Sequence, residues 1–299
     1  MDSYSYDREL HFCDRTRRRR RFVDSVALKV KQTKSKTILL TGGASGIGAA
    51  VARLSVERNH RVHIADINLA GAQSLARSLG AQASATELDV RNPESWTRVL
   101  DETWTKFGRL DVLINNAGIA HAGYANQVPL EKHERTVEVN FMGPMRGMLA
   151  TLPRFLAQGS GHFLTVCSMT AFLPYPGLSS YAAAKHALRA FHHALALEQR
   201  ASALKFTIVY PGSTETPMLD QEAQSGLTLA FAVPSRSAGE VGAIVLDAME
   251  KEASEVYIPK ERAQAVRRIG TSPRALREMV IRGEAAGAER LKERLAARS

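Results

Sequence analysis

Residues 37–66 read TILLTGGASGIGAAVARLSVERNHRVHIAD, and this stretch decides the fold. Thr37 to Thr41 is a short β-branched and apolar run that breaks into glycines, which is the pattern of a buried strand. Apolar residues at Val51, Ala52, Leu54 and Val56 predict a helix from Gly48 to about Asn59, and Arg61 to Ala65 reads as a second strand. Between the first strand and the helix, Gly42, Gly46 and Gly48 supply a tight turn. They also let backbone approach a pyrophosphate at the positive end of the helix. The neighbours Ser45 and Ile47 complete this expected cradle. Asp66 follows the second strand, 18 positions after Gly48. That is near the ~20 at which an acid meets the adenosine ribose of a bound dinucleotide. Its carboxylate would accept hydrogen bonds from both ribose hydroxyls and repel a 2′-phosphate. Neither Ser45 nor Ile67 offers a cation to hold such a phosphate, so NAD is favoured over NADP.

The same alternation continues along the chain. Helices are predicted over 69–79, 94–107, 131–157, 180–201 and 237–250, and strands over 84–88, 110–114, 161–167, 204–209 and 255–258. A long loop is expected over 211–234. Strands alternating with helices of this length imply an α/β fold, a doubly wound parallel sheet with ligands at the carboxyl ends of its strands. One domain over 37–259 accounts for everything between two extensions, 1–36 and 260–299.

The charge is unevenly placed. Residues 1–36 carry 11 basic and five acidic side chains and 260–299 carry the same numbers, leaving 18 basic against 20 acidic in 37–259. A near-neutral body with no aromatic residues among the terminal arginines argues against nucleic-acid binding. The two cysteines, Cys13 and Cys167, do not make a disulfide framework, so a cytoplasmic location is expected. No run approaches the roughly 20 apolar residues of a membrane span.

Tyr181 and Lys185 stand four apart in YAAAK, on one face of a predicted helix. A nearby ammonium favours the phenolate and draws a tyrosine toward acid/base work at neutral pH. In order along the chain come TGGASGIG at 41–48, NNAG at 115–118, Ser168 thirteen residues before Tyr181, YAAAK, and PGSTETP at 211–217. With these motifs the chain resembles the short-chain dehydrogenase/reductase family in its single-domain form, over about 37–258.

The resemblance implies an NAD(H)-dependent oxidoreductase that interconverts a secondary alcohol and a ketone without a metal. Tyr181 would give or take the hydroxyl proton, Lys185 would lower its pKa and bond the nicotinamide ribose, and Ser168 would hold the substrate oxygen. Asn140 would position a water linking Lys185 to solvent. Asp89 and Val90 would border the adenine, while Asn116, Ala117 and Gly118 would line the adenosine side. Pro211, Gly212 and Thr216 would flank the nicotinamide. Relatives form homodimers or homotetramers, and the same is expected here. Two alternatives stand beside this reading: an NADPH-preferring carbonyl reductase of the same fold, and a non-catalytic NAD-binding sensor or scaffold.

Other segments carry softer expectations. Cys167 stands where many relatives have serine, and strand alternation makes it a small core residue rather than a reactive thiol. Met169–Ser180 and residues 213–235 are rich in apolar side chains, among them Met218, Leu219, Leu227 and Phe231, which points to a lipophilic substrate. His192 and His193 are expected at a surface or subunit contact rather than on a metal. The arginine run RTRRRRRF at 15–22 reads as disordered, with a translation start near Val26 as a further expectation. Toward the C-terminus, Ser272 and Pro273 predict a helix start and Gly283 a stop. Two readings of 260–299 are open: a basic amphipathic element in peripheral contact with an anionic membrane, or a helical extension packed on its own body or a sister subunit. The second is favoured.

Overall fold

The computed structural model describes residues 34–297. The N-terminal arginine run and its expected disorder lie outside the described residues. From Ser35 onward the chain is one compact unit. Seven strands form its sheet: β1 (Thr37–Thr41), β2 (Arg61–Asp66), β3 (Ala83–Glu87), β4 (Val112–Asn115), β5 (His162–Val166), β6 (Lys205–Pro211) and, after two short ones, β9 (Glu255–Ile258). They are all parallel, in the order β3-β2-β1-β4-β5-β6-β9. The strand order reverses between β1 and β4, and this switch point opens a crevice beyond the carboxyl ends of the strands.

Helices cover both faces, which is why β1, β4 and β5 are buried at every position. On one face α1 (Gly46–Glu57), α2 (Leu69–Leu79) and α8 (Ala238–Glu250) bury Val51, Ala72 and Val245 against Ile38, Ile64 and Val209. On the other, α3 (Pro93–Phe107), α5 (Gly143–Gln158) and α6 (Ser179–Glu198) bury Trp96, Phe155 and Leu188 against Leu39, Leu113 and Phe163. The fully buried Trp96 donates its indole N–H to the Val90 carbonyl at 3.0 Å. Gly147 admits that ring, since a Cβ there would lie 2.4 Å from it. Among the described residues no helix is long and apolar enough to cross a membrane.

Three expectations are corrected. The helix expected over 131–157 is α4 (Leu130–Val137), a five-residue π turn (Glu138–Met142) and then α5. Pro144 explains the break: it lacks the amide hydrogen that would bond the Asn140 carbonyl. The loop expected over 211–234 contains β7 (Thr214–Glu215), α7 (Pro217–Gln224), a 3-10 turn (Leu229–Phe231) and, just beyond, β8 (Arg236–Ser237). Thr216 caps α7 and Pro217 opens it.

At the C-terminal end α9 (Ala263–Gly270) leads to α10 (Pro273–Ala296), which starts at Ser272 as expected but does not stop at Gly283. Gly283 and Gly287 are close-approach positions instead. A Cβ on Gly283 would lie 2.5 Å from Leu229, and one on Gly287 only 1.9 Å from the Thr228 carbonyl oxygen. Leu276 and Met279 pack on the main core, and Leu291 joins Leu219, Ala223 and Phe231 in a small cluster over the crevice.

Candidate active site

The switch-point crevice is a cleft of about 440 Å³ that runs from Asp66 at one end to Glu222 and Arg262 at the other. Its floor is the glycine turn. Gly42 has φ +65°, and a Cβ there would lie 2.6 Å from Ala117 Cα, so only glycine lets the turn touch the loop after β4. Asn116 fixes that contact by donating from Nδ2 to the carbonyls of Thr41 (3.0 Å) and Gly42 (2.9 Å). Ser45 precedes α1 without a side-chain cap, so the first amides of that helix face the cleft with the helix dipole behind them. Gly46, Ile47 and Gly118 line the same wall.

Asp66 is held at the rim. Its Oδ2 accepts the Ala44 amide and its Oδ1 the Asn68 amide, each at 2.9 Å. Ile67 beside it is 57 % exposed and brings no positive charge. Asp89 and Val90 border the cleft farther along. Asp89 is gripped by Arg91, whose Nη2 donates to Oδ2 at 2.6 Å and whose Nε donates to Oδ1 at 2.9 Å. That hydrogen bond holds the Asp89 carboxyl below its ordinary range. Arg91 lines the cleft as well and was missed in the sequence, where nothing in its spacing marks it.

The other end gathers the second group of residues. Ser168 follows β5, and its Oγ accepts the Thr170 amide at 3.1 Å. Lys185 is 3 % exposed, its Nζ donating to the Val166 carbonyl at 3.4 Å and lying 5.5 Å from the centre of the Tyr181 ring. Burial lowers its pKa. Asn140 is fully buried in the π turn. Its Nδ2 donates to the carbonyls of Ile119 and Thr136, each at 2.8 Å, and its Oδ1 accepts the Ile119 amide at 3.3 Å. The side chain thus braces the loop after β4, and Pro144 leaves the Asn140 carbonyl without the helical bond it would otherwise receive. Pro211, Gly212 and Thr216 form the facing wall, Gly212 donating to the Ile258 carbonyl at 2.9 Å. Thr216 overhangs Gly46, where a Cβ would come within 3.1 Å of its methyl group.

Two electrostatic expectations change. Tyr181 was expected to have its pKa lowered by Lys185. Instead burial pushes its phenol upward, with the charges of Glu222 and Cys167 adding to the rise and a hydrogen bond with Ser168 opposing it. His192, expected at a surface or subunit contact, is 1 % exposed and shares a 3.0 Å hydrogen bond with Thr165. Burial drives its pKa down to about 3. His193 is partly exposed and bonds the Tyr210 hydroxyl at 3.0 Å. Cys167 is buried with its Sγ on the Lys185 carbonyl at 3.5 Å, and desolvation raises its thiol to about 11.

At the far end of the cleft Tyr175 and Glu222 fall in the two segments expected to meet substrate, though neither was singled out, and Arg262 lies outside both. Glu222 carried a usable signal. Leu219 and Ala223 are the apolar positions of PMLDQEA, and a helix through them turns residue 222 inward.

The short chain dehydrogenase family profile matches residues 36–226. A putative oxidoreductase SadH of Mycobacterium tuberculosis is 35% identical over 188 residues, 61% of this chain and 68% of its own. A 3-alpha-(or 20-beta)-hydroxysteroid dehydrogenase of the same organism is 32% identical over 185 residues, 62% and 71% of the two chains. Among solved structures, a short chain dehydrogenase/reductase from Burkholderia phymatum in complex with NAD superposes with a TM-score of 0.73. It covers 79% of this chain and 93% of that one at 21% identity, a likeness of fold. The fold, the cleft at its switch point and the profile match agree: the chain belongs to the short-chain dehydrogenase/reductase family and is an oxidoreductase with a nicotinamide-cofactor fold.

Proposed function

We propose that the protein is an NAD(H)-dependent oxidoreductase interconverting a lipophilic secondary alcohol and its ketone, with Tyr181 as the acid/base. The observation that carries this is the placement of Ser168, Tyr181 and Lys185 in the same cleft as the glycine turn and Asp66. The cradle suits a dinucleotide. Gly42 and Gly48 leave no room for a Cβ, the start of α1 is uncapped toward the cleft, and Asp66 sits at the rim with no cation after it. Gly42, Ser45, Gly46, Ile47 and Gly48 would hold the pyrophosphate, Asp66 the adenosine ribose, and Asp89, Val90, Asn116, Ala117 and Gly118 the adenosine side. Pro211, Gly212, Thr216 and Lys185 would hold the nicotinamide end.

When bound, the nicotinamide supplies the acceptor or donor of the hydride. The chain's residues manage the proton and the oxygen. Ser168 donates to the substrate oxygen and sets its distance from Tyr181. In reduction the Tyr181 phenol gives its proton to the substrate oxygen. In oxidation it first loses that proton toward solvent, so that the phenolate takes the hydroxyl proton as the carbonyl forms. The phenol rests protonated in its buried setting, so the positive charge of Lys185 matters most as the phenolate develops. Asn140 holds the loop at Ile119 in place, and its backbone carbonyl, which Pro144 cannot bond, would position a water that joins Lys185 to solvent.

The same proposal includes a cytoplasmic homodimer or homotetramer. The exposed Leu149 and Leu156 of α5 and Leu197 of α6 supply an apolar surface for it, testable by light scattering. The activity is tested by absorbance of reduced nicotinamide with NAD and NADP across a panel of secondary alcohols. Turnover with NAD should fall at least about 10³-fold in Tyr181→Phe while NADH still binds. Binding without turnover across the panel would overturn the proposal.

A further inference from the structure

Tyr175, Glu222 and Arg262 stand at the substrate end of the cleft with no part in moving a hydride or a proton. Burial raises the pKa of Tyr175, and Arg262 faces its hydroxyl and favours the ionised form against that rise. Glu222 does not share in that contact. It is 9 % exposed, it lines the cleft, and burial alone shifts its carboxyl, with no hydrogen-bond or charge partner among the described residues contributing. It lines the same cleft as Tyr175 and Tyr181, and its charge adds to the burial that raises the pKa of both phenols.

An unpartnered buried carboxyl is costly, and Glu222 stands on the inward face of α7 between Leu219 and Ala223, where an apolar residue would pack without that cost. Burial pushes the carboxyl up to about 7, as expected of a group lacking a donor. The helix that bears it is fixed at one end by Thr216 above Gly46, and on its flank Asp220 receives Arg294 at 2.6 Å. Glu222 is therefore held in place in the cleft that Tyr181 also lines, with acceptor capacity to spare.

On the strength of the oxidoreductase proposal above, we propose that Glu222 is a specificity-determining residue that accepts a hydrogen bond from a second hydroxyl of the substrate, which makes the preferred substrates diols or hydroxyketones. The charges around it define the class. An ammonium group would meet Lys185 and Arg262 in the same cleft, and an anion would meet Glu222 itself. An uncharged hydroxyl satisfies the carboxyl without either conflict. Apolar walls from Leu178, Met218, Leu219 and Ala230 lie around the cleft and suit the skeleton joining the two oxygen functions. The pocket is therefore apolar in its walls and polar at both ends, which refines the plain lipophilic substrate expected from the sequence.

The test is calorimetric titration of the full chain saturated with NADH, in which no alcohol can be oxidised. The probes are paired by skeleton: cyclohexanol with the 1,3- and 1,4-cyclohexanediols, and a 3-androstanol with the 3,17-androstanediol. The expected result at pH 8, where Glu222 is mostly ionised, is a diol bound at least about tenfold more tightly than its mono-alcohol, the value of one hydrogen bond to a charged group. That advantage should fall to within about threefold in Glu222→Leu and persist in part in Glu222→Gln, which still accepts a hydrogen bond. Unchanged fluorescence of bound NADH marks the variants as folded. Equal affinity within every pair, or a diol preference that survives in Glu222→Leu, overturns the proposal. Turnover separates it from the reading beneath it. A diol preference without oxidation of any probe would sink the hydride-transfer assignment and uphold Glu222. Oxidation of both members of each pair with equal KM would do the reverse.

Discussion

Arg294 is forked onto Glu215: Nη1 donates to Oε1 at 2.8 Å and Nη2 to Oε2 at 2.7 Å. The same Nη2 reaches Asp220 at 2.6 Å. One guanidinium near the end of α10 thus fastens β7 and α7, the elements that roof the substrate end of the cleft. Arg290 adds bonds to the carbonyls of Phe231 (3.2 Å) and Ala232 (2.7 Å). Planar two-point pairing suits arginine and would not be reproduced by lysine.

Arg294→Ala should accordingly loosen the roof and leave the nucleotide cradle intact. The arginine is only 14 % exposed but its two carboxylate partners are each 37 % exposed, so solvent screening limits the cost of its loss to about 1–2 kcal/mol. Limited proteolysis within 213–235 should speed up and KM for the alcohol should rise about tenfold or more, with the Kd of NADH nearly unchanged. An equal loss of nucleotide affinity would show that the helix supports the whole fold instead.

Coenzyme preference should turn on Asp66 and its neighbour. Asp66→Ser with Ile67→Arg removes the acid that repels a 2′-phosphate and adds a cation at an exposed position, while serine keeps an acceptor for the backbone turn. Charge-assisted bonds of this kind are worth about 1.5–3 kcal/mol, so the NAD:NADP ratio of kcat/KM should drop by roughly 10–100-fold. An unchanged ratio would remove Asp66 from the ribose site.

Acid should destabilise the fold through three buried histidines. His63 and His162 have pKa values lowered to about 4 and His192 to about 3, each chiefly by desolvation. They stay neutral in the folded chain, whereas the unfolded chain binds protons from about 6.5 downward. Their contribution is complete above pH 6.5 and is lost as pH falls toward their folded values. His192→Gln, which can keep the bond to Thr165, should flatten the fall in urea-unfolding free energy between pH 6.5 and 4.5 by up to about 1.4 kcal/mol per pH unit. An identical slope in the variant would contradict this account.

Glu222 gives a dependence of opposite sign. It keeps its proton up to about 7 in the folded chain, while an unfolded glutamate loses it near 4.5. The burden of the buried carboxyl is absent at pH 4.5 and grows as pH rises through 7, to about 3 kcal/mol at most. Glu222→Gln should gain stability over the parent chain between pH 5 and 8 in thermal melts. A constant difference across that range would mean that the carboxylate is solvated.

Much of this was legible in the residues themselves. The first strand, the glycine turn and the second strand follow from apolar patterning and spacing, because a buried parallel strand leaves little freedom in its side chains. What escaped had contacts that no local pattern records. Gly283 looks like a helix stop, yet its missing side chain serves contact with Leu229, far away in sequence. Pro144 was visible, but its effect was lost inside a long apolar period. His192 could have been placed: Lys185, Leu188, His192 and Leu195 share the buried stripe of α6. Most residues named by motif line one cleft while Gly48 and Asn140 pack behind it, whereas Glu222 fell in what was read as a loop and Arg262 beyond the matched region.

The position of α10 has a temporal consequence. The glycine turn, Asp66 and the NNAG loop lie within residues 37–118, but the roof is bolted down by residues 283–294. On the ribosome the adenosine half of the crevice is therefore translated early, its other walls at 168–185 and 211–216 follow, and its fastening comes last with residues 283–294. Closure over the substrate end is the last competence a nascent molecule acquires.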